Sequence, residues 1–265
     1  MSYALITGSA KGIGAAIAVD LARKGYDLFL VDIDGAGLER TRSKINEKRT
    51  VAVHILQLDL SLPDCAKRIF EWTSPHHNEL NVVINDAGYG LNGAFEKLSI
   101  EEHENIVDVN IKAQLKIAHA FIPVLRRFNR SYLLNVGSTT CFQSVPYMSI
   151  YAASKAFVIS FTRSLRFELK DSPISVSCLI PGSTDTDFNN RARMNEYARK
   201  TATRYFMTPE SVAKIAIAGM FKGKSEIIPG VSNKLHSVLP KFFPKTFVEK
   251  IAGNIYRPRE DNLAQ

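Results

Sequence analysis

Short apolar runs alternate along this chain with segments of helical period. Runs at residues 3–7, 28–31, 51–58, 81–85, 132–136 and 174–180 have the length of buried strands, and residues 227–228 form a short last one. Residues 12–24, 64–72, 99–127 and 151–170 repeat apolar positions at helical spacing. A further helix starts near Thr208, which can cap it, with Pro209 in the first position and Glu210 in the first turn. Continuous apolar strands separated by helices predict an α/β fold with a parallel sheet covered on both faces. Right-handed crossovers make it doubly wound, with about seven strands and the ligand crevice at their carboxyl ends. No repeat, low-complexity stretch or Gly/Ser-rich linker divides the chain, so residues 1–265 read as one domain.

Chemistry gathers at those strand ends. The first strand runs into Thr7-Gly8-Ser9-Ala10-Lys11-Gly12-Ile13-Gly14 and then a helix. Glycines permit a tight turn and close approach to a pyrophosphate, and the helix N-terminus supplies free N–H groups. This strand–turn–helix context predicts a Rossmann-type dinucleotide site, although the spacing is Gly-x-x-x-Gly-x-Gly. Asp32 ends the second strand, 24 residues after Gly8. A carboxylate there can bond both adenosine ribose hydroxyls and repel a 2′-phosphate, which favours NAD, with NADP as the alternative. Lys11 argues mildly the other way, since it could reach a 2′-phosphate.

Tyr151-Ala152-Ala153-Ser154-Lys155 places Tyr and Lys on one helix face. A nearby ammonium stabilises a phenolate and suits the tyrosine to acid–base work. Ser138, at the end of the fifth strand, can face the same crevice and hold a substrate carbonyl. Together with Asp59-Leu60, Asn85-Asp86-Ala87-Gly88, Asn110 and Pro181-Gly182 with Thr186, these residues run in order from residue 5 to about 186. In this the chain resembles the short-chain dehydrogenase/reductase family.

The resemblance implies an NAD(P)-dependent oxidoreductase that moves a hydride between nicotinamide and a secondary alcohol or ketone. Tyr151 is then the general acid/base. Lys155 lowers its pKa and binds the nicotinamide ribose, and Ser138 holds the substrate oxygen. Asn110 kinks its helix and holds a water that links Lys155 to solvent. Gly8, Ser9, Lys11, Gly12, Ile13 and Gly14 form the phosphate turn. Asp59 and the Leu60 N–H meet the adenine, and Asn85, Ala87 and Gly88 line the adenosine side. Pro181, Gly182, Thr184 and Thr186 lie by the nicotinamide end. Asp86 departs from the family, which more often has a second Asn there. The second reading is a cofactor-binding sensor without turnover, and the intact Asn110/Ser138/Tyr151/Lys155 set argues against it.

The substrate side is less legible. Cys141, Gln143 and Tyr147 are expected to line the pocket, and residues 187–206 to form a lid carrying Arg191, Arg193, Arg199, Lys200 and Arg204. The net charge of +8 sits largely here: residues 187–206 carry +3 and residues 221–265 carry +4, against +1 for residues 1–186. A basic lid could read an anionic substrate group or simply be solvated. No nucleic-acid recognition motif accompanies the charge, so no nucleic-acid partner is expected. Residues 229–265 form a C-terminal extension that mixes apolar residues with lysines. A basic amphipathic stretch can lie on an anionic bilayer; Pro240 and Pro244 interrupt its helical pattern and weigh against this without excluding it, and packing over the substrate pocket or against another subunit is the favoured expectation. Three widely spaced cysteines, Cys65, Cys141 and Cys178, form neither a disulfide framework nor a metal set, which suits a reduced, cytoplasmic setting. No leader or membrane span is expected. The family resemblance implies a small-molecule substrate and a homodimer or homotetramer built on residues 99–127 and 151–170.

Overall fold

The computed structural model describes residues 2–203 and 206–258. Seven strands run parallel: β1 (Ser2–Thr7), β2 (Tyr26–Asp32), β3 (Val53–Gln57), β4 (Leu80–Asn85), β5 (Ser131–Val136), β6 (Ile174–Leu179) and β7 (Glu226–Ile227). Their order is β3-β2-β1-β4-β5-β6-β7. The chain leaves β1 towards β2 and β3, then returns to β4 on the opposite side. Crossovers therefore part between β1 and β4, and a crevice opens at their carboxyl ends.

Both sheet faces are apolar because each strand alternates between two buried cores. Ala4, Ile6, Leu28, Leu30, Val82 and Ile84 point to one side, against α1 (Gly12–Arg23), α2 (Gly35–Asn46) and the helix Pro209–Phe221. Tyr3, Leu5, Phe29, Val31 and Val83 point to the other. There they meet α3 (Cys65–Thr73) and the helix Gln114–Leu125. In chain order the remaining helices are α4 (Ile100–Val107), α5 (Gln114–Leu125), α6 (Ser149–Glu168), α7 (Phe188–Arg191), α8 (Glu196–Thr203), α9 (Pro209–Phe221), α10 (Val231–Val238) and α11 (Lys245–Tyr256).

The expected strands appear with ends shifted by a residue or two. The helix start at Thr208 is as read: its hydroxyl accepts from the Ser211 N–H at 3.2 Å. Two helical expectations change. The pattern at 99–127 is interrupted by a π-helical segment, Asp108–Ala113, between α4 and α5. This segment contains Asn110, and such bulges are common beside functional sites. Helix α2 went unread because little of it is apolar: only Gly37, Leu38, Thr41 and Ile45 are buried. Its start is marked instead by Asp34, whose carboxylate accepts from the Gly37 N–H at 2.8 Å.

A polar brace crosses the sheet below the crevice. Asn85 of β4 donates to the Asn135 carboxamide oxygen at 2.9 Å, and Asn135 of β5 donates to the Thr162 hydroxyl on α6 at 3.0 Å. All three residues are buried. Asn135→Ala leaves two buried polar groups without their partner and is expected to cost about 2–4 kcal/mol, read as a lower urea midpoint at unchanged slope.

Candidate active site

The glycine-rich turn is shaped by what lies against it. Gly8 has φ +72°, and a Cβ there would stand 2.8 Å from the Ala87 backbone. The turn therefore folds directly onto the loop after β4, and only glycine fits. Lys11 is extended, and α1 begins at Gly12. Gly12 and Ile13 occupy the first turn of α1, whose N–H groups have no intrahelical acceptor, and both residues line a cavity of about 380 Å³. Gly14 is occupied differently: its N–H is bonded to the Asp86 carboxyl.

The same cavity brings together Lys11, Asp32, Asp59, Leu60, Ala87, Gly88, Tyr151, Lys155, Pro181 and Thr186 from the sequence-based set. Asp32 accepts from the Ala10 N–H at 3.0 Å and the Asp34 N–H at 3.1 Å. Asp59 accepts from the Ser61 N–H at 2.9 Å. Lys11 is turned to Asp187, at 2.7 Å, so it links the turn to the start of the lid. Ser9 is buried and donates to the Val31 carbonyl, a role inside the turn.

Lys155 is almost wholly buried. Its ammonium donates to the Val136 carbonyl at 2.9 Å and lies 5.9 Å from the Tyr151 ring centre. Burial lowers its pKa, while the Asp86 charge pulls it back up. Asp86 is raised in turn, because desolvation outweighs the attraction of Lys155. Tyr151 is pushed up to about 12, chiefly by burial, and a hydrogen bond with Ser138 partly offsets this. The resting tyrosine is therefore a neutral phenol, and burial rather than Lys155 sets its affinity for the proton. Ser138 also accepts from the Thr140 N–H at 3.3 Å.

Asn110 sits behind this wall, with no exposed surface. Its oxygen accepts from the Tyr89 N–H at 3.0 Å, and its amide donates to the Tyr89 carbonyl and the Ser154 hydroxyl, each at 2.9 Å. A Cβ on Gly88 would stand 3.0 Å from the Asn110 oxygen and 3.1 Å from the Lys155 nitrogen. The π-helical segment thus ties the loop after β4 to α6.

Other sequence-based candidates lie off the cavity wall. Thr184 donates to the Gly182 carbonyl and bridges to Met207, so it shapes the loop after β6, and Gly182 packs on Asn233 of α10. Cys141 lines a separate cavity of about 370 Å³ with Ile159 and Arg163. Its thiol is pushed up to about 12 by burial, which makes it unreactive. Gln143 is half-buried on the loop before α6. Tyr147, at φ +66°, accepts through its carbonyl from the Gly93 N–H, and its hydroxyl accepts from Arg257 at 3.3 Å.

The surroundings of Tyr151 include an apolar cluster: Val145, Met148, Ala152 and Ala192, with Phe188, Met194 and Tyr256 packed on it. Phe188 of α7 lies 5.2 Å from the Tyr151 ring, and Arg191 covers the Tyr89 ring at 4.7 Å. Arg193 pairs with Glu102 at 2.8 Å, and Lys200 pairs with Glu196. Arg204 and Tyr205, also expected in the lid, lie outside the described residues. Tyr256 escaped the sequence reading. It stands 105 residues beyond Tyr151, in a tail expected to pack over the pocket or another subunit, or to lie on a bilayer. The tail is held by Asn92, which donates to the Tyr256 carbonyl at 2.7 Å, and by Asn195, which donates to the Ile255 and Arg257 carbonyls. Among the described residues there is no cluster of metal-ligating side chains and no helix long and apolar enough to cross a membrane.

The short chain dehydrogenase family model matches residues 2–197. The chain belongs to the short-chain dehydrogenase family. Its relatives are distant but cover most of its length. A Mycobacterium tuberculosis chain named as the oxidoreductase SadH is 27% identical over 95% of this chain and 94% of its own. The 7beta-hydroxysteroid dehydrogenase of Clostridium sardiniense is 28% identical over 80% of this chain and 79% of its own. Among solved structures, a short-chain dehydrogenase from Sphingobium yanoikuyae in complex with NADPH superposes with a TM-score of 0.79 at 28% identity, covering 100% of this chain and 98% of that one. As a short-chain dehydrogenase this chain is an oxidoreductase of an NAD(P)-using family, and the cavity fits such a cofactor: Gly8 has no room for a Cβ, and Gly12 and Ile13 of the first turn of α1 line the cavity. Gly8→Ala is expected to lower the melting temperature and to weaken dinucleotide binding at least about tenfold, because a positive φ and a backbone collision are both imposed at the glycine-rich turn. Melting and a fluorescence titration on the same sample check this.

Proposed function

We propose that this short-chain dehydrogenase interconverts a secondary alcohol and its ketone with NAD, using Tyr151 as the general acid/base. The reading rests on one arrangement: the Tyr151 hydroxyl, bonded to Ser138, shares a wall with Lys155 and opens between an apolar cluster and the glycine-rich turn. A bound nicotinamide dinucleotide supplies the hydride donor or acceptor. The Gly12 and Ile13 N–H groups suit its pyrophosphate, Asp32 its adenosine ribose, Asp59 and Leu60 its adenine, and Lys155, Pro181 and Thr186 its nicotinamide end. Asn85, Ala87 and Gly88 support the adenosine side, and Asn110 positions that loop.

Ser138 holds the substrate oxygen beside the Tyr151 hydroxyl. In reduction the phenol gives its proton to that oxygen; in oxidation the phenolate takes the proton from the alcohol. The Lys155 ammonium favours the phenolate as it forms. Val145, Met148, Phe188 and Tyr256 exclude water from the reacting carbon and favour a bulky apolar substrate, in keeping with the relative named for a hydroxysteroid. Tyr151→Phe is expected to remove at least about 99.9% of turnover while dinucleotide still binds, since the proton has no other donor. Activity surviving that change would sink the mechanism. Because burial holds the Tyr151 pKa up, oxidation should gain rate as pH rises towards that value, while reduction, which uses the phenol, should not.

The cofactor preference follows from charge. Two cations on the elements flanking Asp32 are paired, Lys11 with Asp187 and Arg40 with Asp34. An adenosine 2′-phosphate would meet the Asp32 carboxylate, and recruiting Lys11 or Arg40 to it would break an existing ion pair. NADH is expected to bind at least about tenfold more tightly than NADPH, and Asp32→Ser to narrow that gap. A titration in which NADPH bound more tightly would reverse the assignment.

A further inference from the structure

Helix α10 is turned inside out. Asn233 and Ser237 face the protein and are 5% and 6% exposed, whereas Val231, Leu235 and Val238 are 83%, 58% and 45% exposed. The polar residues are satisfied inside: Asn233 donates to the Pro229 carbonyl at 2.7 Å and Ser237 to the Lys234 carbonyl at 2.7 Å. The outward apolar stripe has the spacing of one helix face and continues through exposed Phe242. Phe243 lies 5.9 Å from the Phe247 ring, and Phe247 and Ile251 carry an exposed face along α11. Seven large apolar residues are thus exposed within residues 231–251, far more than isolated exposure produces.

The charge around this face is mostly positive, with Glu249 of α11 as its one acid. Between Glu226 and Glu249 the sequence has no acidic residue, while Lys234, Lys241 and Lys245 fall in that interval and Lys250 follows. Beside α10 a groove of about 490 Å³ has an apolar floor that includes Ile215 and Ile228, with Lys222, Lys224 and Lys234 on its wall. The carboxylate in that groove, Glu226, is bonded to Arg163. None of Lys222, Lys224, Lys234, Lys245 and Lys250 forms an ion pair among the described residues.

We propose that the outer face of α10 and α11 docks on an anionic lipid bilayer, with the apolar stripe entering the acyl boundary and the lysines meeting lipid phosphates. Apolar area and cationic charge act together in such binding. A second copy of this chain is a poorer occupant. A two-fold contact would set four lysines of residues 227–256 against four others with only Glu249 on each side to offset them, and like charges across an interface are repelled. The prolines that interrupt the helical pattern divide the face into two short helices, and each still presents its own apolar side.

The test is sedimentation of the full-length protein with vesicles of phosphatidylcholine alone or mixed with phosphatidylglycerol. Binding is expected to the mixed vesicles, to fall as salt rises, and to weaken about fivefold for each of Lys234→Glu, Lys245→Glu and Lys250→Glu. Leu235→Ser with Phe242→Ser should abolish it while leaving the melting temperature and soluble-substrate turnover unchanged, because both side chains are exposed. Failure to bind the mixed vesicles, or equal binding to both kinds, overturns the proposal. So does light scattering that shows a dimer dissociated by the same two serines, since the face would then belong to a second copy.

Discussion

One cation held out of water organises this site. Lys155 is buried on α6, and a desolvated ammonium needs partners close by. The Val136 carbonyl at the end of β5 supplies one, and the Asp86 carboxyl supplies charge. Room for the ammonium exists because residue 88 has no side chain. Asn110, in the π-helical segment, presses on the same glycine and fixes the loop by three hydrogen bonds to Tyr89 and Ser154. Sheet, loop and two helices are thus brought to one register around a single charge, and Tyr151 inherits its position from them.

Asp86 follows from the same constraint. A carboxylate between the α1 N-terminus and a buried lysine gains from both, yet it is itself short of water. Each charge favours the other: the ammonium holds the carboxyl's pKa below what burial alone would give, and the carboxylate holds the ammonium's above it. An asparagine would bond the Gly14 N–H without that coupling.

Much of this was legible in the sequence because strand-end motifs carry local chemistry. The apolar runs gave seven parallel strands, and every motif on them fell at a carboxyl end. Helix α2 was lost because its buried stripe rests on Leu38 and Ile45, with only Thr41 buried between them. The π-helical segment could not be read from spacing, since a bulge leaves the apolar pattern on either side intact. The substrate wall was less legible for another reason. Cys141, three residues after Ser138, turns into a separate cavity, while Tyr256 arrives from the far end of the chain. Nearness in sequence says little about a wall assembled from α6, α7 and the tail.

That assembly also divides the inheritance of this protein. The residues suited to moving a hydride and a proton lie before residue 187, on strands and helices that share the two sheet cores. The far wall of the pocket hangs from the last helix by a few hydrogen bonds, from Asn92 and Asn195 to tail carbonyls and from Arg257 to Tyr147. A change in the closing residues of the chain can therefore recut the apolar wall beside Tyr151 while the sheet and the placing of Ser138, Tyr151 and Lys155 stay as they are. Selectivity and chemistry are free to drift at different rates within one compact chain.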